Sequence, residues 1–236
     1  GELDLSKPMA IDAYNQALAA HKSAAVKEIN VTEGTEDAAT SVGYDWFAAL
    51  TGLKHPTSTS ATVYAAASNL FNEDAVVTAI VPNAQNPMYR VRNGEVGLIE
   101  GFEMAHVLET VYQEDKEKAV KRPVVVVIDV PSQAYGYNEE LIGIHVALAN
   151  SAAAYAKLRQ AGHPVIGFIA GNAISGAFLA HGLQSSRLIA LNSSNITVQA
   201  MSKESASRVT KRSIAAIEAA AEKVPSIAYD IKNYTK

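Results

Sequence analysis

The sequence predicts an α/β fold built on a parallel sheet, and three observations carry that expectation. "PVVVVIDVP" (123–131) is an unbroken β-branched run between two prolines, the pattern of a strand buried on both faces. "PVIGFIA" (164–170) repeats that pattern after a helix-length segment. Strand-like and helix-like stretches then alternate with short connections, which suits parallel pairing.

The elements follow in order. Residues 1–40 differ from the rest: "HKSAAVKEINVTEGTEDAATS" is polar and mixed in charge, while "AIDAYNQALAAHKSAAV" has helical character with Asp12 as its cap. They are expected to form an N-terminal extension, partly helical or flexible, ahead of a main domain over 41–236. "TVYAAAS" (62–68) and "AVVTAIV" (75–81) are short strands, with Asn72, Glu73 and Asp74 as the turn between them. From Asn93-Gly94 onward, "NGEVGLIEGFEMAHVLETVYQ" has helical spacing, marked by Val96, Ile99, Phe102, His106, Val107 and Val111. After Pro131 a loop, "SQAYGY", leads into one helix from about Asn138 to Gln160, stopped by Gly162 and Pro164. A short helix over 175–181 ends at Gly182, and "RLIALN" and "NITVQAM" are further strands. "SKESASRVTKRSIAAIEAAAEKV" (202–224) reads as one long helix with Ser202 or Ser205 as its cap.

Composition narrows the function classes. A chain of 236 residues with 48% hydrophobic and 19% charged residues can bury a substantial core. A net charge of −4 and a pI near 5.9 provide no electrostatic attraction for nucleic acid or an anionic membrane. The absence of cysteine removes disulfides, thiolate metal sites and a cysteine nucleophile, and points to a cytoplasmic setting. No His/Asp/Glu spacing suggests a metal site. The longest apolar run, Val124 to Ile128, is far too short to span a bilayer, and the first residues lack a leader's basic-then-apolar pattern.

"GFIAGNAISGAFLAHG" (167–182) is the most unusual stretch, a strand-to-helix junction almost without side-chain chemistry. Small residues there serve close packing of helix on sheet. They also let a substrate oxygen approach the free N–H groups of a helix start, where the helix dipole favours negative charge. Both readings stand on the residues alone.

Several motifs carry a resemblance. "HPVIGFIAGNAISGAFLAHGLQSSRLIALNSSNITV" resembles the core of the crotonase superfamily, and "VVIDVPSQAYGYNEELIGIHVALANSAAAYAKLRQAGHPVI" resembles its carboxyltransferase branch. "DWFAALTG", "MYRVRNGEVGLIEGFEMAH", "SGAFLAHGLQSSRLIAL" and "AMSKESASRVTKRS" are similar to the malonate decarboxylase gamma-subunit family, over about residues 41–236. The resemblance implies a crotonase-like (ClpP/crotonase) fold of repeated strand–strand–helix units. The implied activity converts a malonyl thioester on an acyl carrier protein to acetyl thioester and carbon dioxide, together with a beta subunit. No cofactor is expected on the chain itself. The substrate would ride on the carrier's CoA-derived prosthetic group. A biotin-linked carboxyltransferase subunit and a non-catalytic partner subunit are the alternatives.

The superfamily's oxyanion turn falls here on Ser175-Gly176-Ala177, so the backbone N–H groups of Gly176 and Ala177 are the implied donors. Ser175 and Gln133 are further catalytic candidates, and Gly171, Asn172, Ser132 and Ala134 are implied to bind substrate. Ser132 departs from the glycine usual in the carboxyltransferase loop. Where hydratases of the superfamily carry glutamates, this chain has Leu179 and an acid-free stretch over 191–202, which argues against water addition. A Clp-type serine nucleophile at Ser175 is disfavoured, because the turn is one residue short and no histidine follows His181. His145 and His181 are expected at a surface or interface, and His163 at a helix terminus. Glu139 and Glu140 suit a helix start, and Asp129 is expected to orient the loop after it. Arg187 and Arg208 are each open to a carboxylate or to solvent.

Overall fold

The computed structural model describes residues 41–53, 60–86, 88–224 and 227–234. The extension expected over 1–40 lies outside the described residues. Helix α1 (Val42–Thr51) opens the described chain, with Ser41 Oγ accepting the Tyr44 N–H at 3.0 Å and Gly52 closing it at φ 71°. Sequence analysis did not anticipate this helix. Strands β1 (Val63–Leu70) and β2 (Glu73–Ile80) form an antiparallel hairpin. Its turn is Phe71-Asn72, both at positive φ, and not the expected Asn72–Asp74, because a two-residue turn of this hand matches the right-handed strand twist.

Helix α2 (Leu98–Asp115) precedes β3 (Val124–Val130), and β3 leads through the 131–136 loop to α3 (Tyr137–Ile142) and α4 (Ile144–Gln160). The expected single helix over 138–160 is thus two, divided at Gly143 with φ 100°. Next come β4 (Val165–Ile174), α5 (Ser175–His181), β5 (Arg187–Ala190) and β6 (Thr197–Gln199). The expected helix over 202–224 is likewise two, α6 (Lys203–Thr210) and α7 (Ile214–Lys223). Lys211 at φ 58° breaks the run, and Ser213 caps the second piece. A short α8 (Ile231–Tyr234) ends the described chain.

The sheet runs β1-β2-β3-β4-β5, parallel from β2 onward, and β6 pairs with the C-terminal part of β4. Strand β3 sits centrally and is buried on both faces, as its β-branched run required. Val124, Val126, Ile128 and Val130 face one core with Met104, Leu108, Tyr155, Leu158 and Phe178. Val125 and Val127 face the other, with Phe47 of α1 beneath them.

The buried face of α2 differs from expectation. Gly101, Met104, Leu108 and Val111 face inward, whereas Ile99, Phe102 and His106 are exposed. The reason is Gly101: a Cβ there would come within 2.9 Å of the Ala147 backbone, so α2 and α4 meet at their two smallest residues. That contact rotates the flanking apolar residues outward. Among the described residues, no helix is long and apolar enough to cross a membrane.

Candidate functional site

The C-terminal ends of β3 and β4 carry the site. Strand β4 extends through Ile174, further than expected, so the turn into α5 is a single residue, Ser175. Ser175 has φ 65°, a left-handed conformation that costs a non-glycine residue about 1 kcal/mol. Its hydroxyl offsets that cost by accepting the Gln133 N–H at 2.7 Å. Two further bonds hold the same loop, Val96 N–H to Ser132 O at 3.0 Å and Ala134 N–H to Val96 O at 2.8 Å.

Between this loop and α6 lies a cavity of about 320 Å³. Ser132, Gln133, Tyr135, Ser175 and Gly176 form one wall. Residues 200–202 with Ser205, Arg208 and Val209 form the other. Neither histidine nor carboxylate lines it. A smaller cavity of about 170 Å³ adjoins it, sharing Ser132, Gln133 and Arg208 and adding Arg90, Glu95 and Ala134.

The expected residues are placed unequally. Gly176 lines the main cavity, and a Cβ on it would collide with Gln133 Oε1, so only glycine lets that amide lie against the helix start. Ala177 does not line it, and its methyl is fully buried in the core. As the second and third residues of α5, Gly176 and Ala177 have no partner for their N–H groups within the helix, and none elsewhere among the described residues. Ser132, Gln133 and Ser175 share the cavity, while Ala134 is buried and reaches only the smaller one. Gly171 and Asn172 line neither. They lie within β4, where the missing Gly171 side chain admits Asp129, and Asp129 Oδ1 accepts the Asn172 N–H at 3.0 Å. Asp129 also accepts the Gly43 N–H at 3.1 Å. It therefore ties α1 to β4, in place of the loop-orienting role expected of it.

His181 corrects a second expectation. It is 1% exposed, and its Nδ1 lies 2.8 Å from the Tyr155 hydroxyl in the core, because α5 is covered by α4 on that side. Burial pushes its pKa down to about 4 and pushes the Tyr155 phenol up. It is a core residue and lines neither cavity. His145 is exposed as expected, and buried His163 meets Arg122 O through Nδ1 at 2.9 Å.

Sequence reasoning missed the α6 wall. Tyr135 OH lies 2.9 Å from Ser205 Oγ, Ser202 Oγ donates to Ser205 Oγ at 3.3 Å, and Arg208 donates to it at 3.2 Å. The signal was present in the spacing. Ser202, Ser205 and Arg208, three residues apart in turn, share one helix face.

The profile of the malonate decarboxylase gamma subunit matches residues 91–236, more than half of the chain. The chain belongs to that family. It is similar to a Pseudomonas malonate decarboxylase MdcD–MdcE hetero-dimer, with 46% identity and a TM-score of 0.79 over 83% of this chain and 76% of that one. It is also 36% identical over 151 residues to the malonyl-S-ACP:biotin-protein carboxyltransferase of Malonomonas rubra, matching 62% of this chain and 52% of that protein. The chain thus spans about half the length of the curated relative it matches. The transcarboxylase 12S core shares the fold alone, at 19% identity and a TM-score of 0.54 over 70% of this chain and 30% of that one. The crotonase-like carboxyltransferase fold expected from the motifs is the one found.

Proposed function

We propose that this chain acts as the gamma subunit of a cytoplasmic malonate decarboxylase, completing an active site with a crotonase-like beta subunit. Residues 41–236 are its carboxyltransferase-type domain. The substrate is a malonyl thioester carried on the prosthetic group of an acyl carrier protein. Its C–C bond breaks heterolytically, the electron pair passes to the thioester carbonyl as an enolate, and carbon dioxide leaves. Protonation of the enolate then yields the acetyl thioester. A free carboxylate is a poor electron sink, which is why the thioester is needed.

One observation carries the reading: Gly176, its N–H unpaired among the described residues, lines a cavity with neither acid nor histidine. Such a site has neither carboxylate nor imidazole for general acid–base work and is suited to holding an anion by backbone donors. The Gly176 N–H holds the departing carboxyl group, turning the breaking bond towards overlap with the carbonyl, while Ala177 packs behind it in the core. Ser175 and Gln133 keep the loop at this distance, and Ser132 supplies the adjoining wall. Gly171 and Asn172 support the site from β4, through Asp129.

The test is Gly176→Pro in the assembled complex, which deletes that donor, frees the carboxyl group to turn out of alignment, and is expected to lower decarboxylation by about a hundredfold. Because any side chain at 176 displaces Gln133, Gln133→Ala serves as the control and should lose much less. Full activity in a Gly176→Pro complex would favour the non-catalytic partner role. The Malonomonas relative favours a second reading, in which the carboxyl group passes to protein-bound biotin. Inhibition of turnover by avidin would select that reading.

A further inference from the structure

We infer that Arg208 selects the carboxylated substrate, its guanidinium taking the free carboxylate of the malonyl thioester in the cavity beside Gly176. This rests on the decarboxylase reading above and deepens it. Arg208 lines both adjoining cavities and, among the described residues, forms no salt bridge, although its charge acts on Glu204 and Glu95 lines the smaller cavity. Its guanidinium donates to Ser205 Oγ at 3.2 Å, a bond that leaves most of its five N–H donors for a ligand. Several other cations among the described residues are committed, Arg122 to Asp115 and Glu114, Lys157 to Glu109 and Lys203 to Glu218, whereas Arg90 in the smaller cavity is not.

The surroundings orient Arg208 without neutralising it. Ser205 Oγ meets the Tyr135 hydroxyl at 2.9 Å, so the partner of Arg208 bridges α6 and the loop that forms the opposite wall. The main cavity contains no carboxylate in its lining, so a ligand carboxylate there meets the guanidinium with no acid of the same wall in competition. A planar fork facing a carboxylate makes two parallel charge-assisted hydrogen bonds, which suits the malonyl group and offers nothing to an acetyl group.

The reaction dictates the kinetic signature. The charge that Arg208 holds disappears as carbon dioxide forms, so the interaction is stronger in the ground state than in the transition state. It therefore contributes to substrate affinity and not to the chemical step. Loss of the charge also releases the acetyl product from this contact.

The experiment uses the complex assembled with the beta subunit, with malonyl thioester on the carrier as substrate and malonyl and acetyl thioesters as calorimetric probes. Arg208→Gln is expected to raise KM roughly ten- to a hundredfold, with kcat equal or higher and product inhibition by the acetyl thioester unchanged. Arg208→Lys should recover part of the affinity, and the preference for malonyl over acetyl thioester should fall in step with KM. An unchanged KM, a loss confined to kcat, or equal weakening towards the acetyl thioester would overturn the inference. A wild-type complex that binds the malonyl thioester through Arg208 yet releases no carbon dioxide would instead sink the decarboxylase reading and leave the carboxylate site standing.

Discussion

The two ends of β3 treat charge in opposite ways. Just before the strand, Arg122 is saturated: its Nε reaches both oxygens of Asp115 at 3.0 and 2.8 Å, and its NH2 reaches Glu114 at 2.6 Å. Asp115, whose side chain is fully buried, also takes Lys118 Nζ at 2.6 Å and the Arg122 N–H at 3.2 Å. Beyond the strand, Gly176 offers an N–H with no acceptor among the described residues, and Arg208 has one neutral hydroxyl. A saturated buried pair holds the fold, since removing either charge strands the other. Unsaturated donors around a cavity contribute little to the free chain and gain their value when an anion arrives.

Asp115→Ala should break the saturated end most severely. It leaves the partly buried Arg122 with only the exposed Glu114, and a loss of about 3 kcal/mol is expected in denaturant melts. Burial alone would raise the Asp115 pKa, but hydrogen bonds from Arg122 and Lys118 outweigh it and hold the carboxyl well below the usual range. The unfolded chain therefore takes up this proton first. The contribution is complete above about pH 4 and is lost as the pH falls towards the lower folded value. Asp115→Asn should flatten that part of the stability profile.

Behind the cavity, Tyr155→Phe removes the partner of His181 Nδ1 and should cost about 1–3 kcal/mol. With its pKa pushed down to about 4, folded His181 stays neutral while an unfolded histidine protonates near 6.5. Stability should therefore fall as the pH drops between those values. A resonance assigned to His181 that titrates near 6.5 would contradict the buried placement.

At the open end, Ser175→Ala removes the hydroxyl that fixes Gln133 but keeps the backbone donors. Activity in the assembled complex should stay within about tenfold of the wild type. A loss beyond about a thousandfold would make Ser175 a nucleophile or direct donor. The smallest effect on stability is expected at the surface beside the loop, where Tyr137, Leu141, Ile142 and Val146 are exposed by 81%, 72%, 66% and 44%. Such a run of exposed apolar residues suits a partner face. Leu141→Glu should leave the melting curve of the isolated chain within about 0.5 kcal/mol yet weaken pull-down of the beta subunit. Unchanged binding would place the interface elsewhere.

Much of the fold was legible because burial on both faces leaves a strong local signature. The β-branched run of 124–128 needs no other residue to be read as a central strand, and the composition of 171–182 marked the strand-to-helix junction. Helix breaks at Gly143 and Lys211 were not legible. An isolated glycine within a helical pattern costs only about 1 kcal/mol and lysine favours helices, so neither residue by itself forces a break. The inward face of α2 was misread for a related reason. Its apolar residues cover more than one face, and only the close approach of Gly101 to Ala147 selects among them.

The same division holds at the site. By itself the sequence determined the α/β class, the family motifs and the helix start at Gly176, because each depends on residues adjacent in the chain. Tertiary structure decided that Asp129 braces α1 against β4, that His181 is sealed in the core, and that Arg208 lines the cavity beside Gly176. Those three outcomes depend on contacts between residues 26 to 86 positions apart or on a cavity wall formed by separate elements. Periodicity within one element cannot encode such distances. Packing of one element on another fixes them.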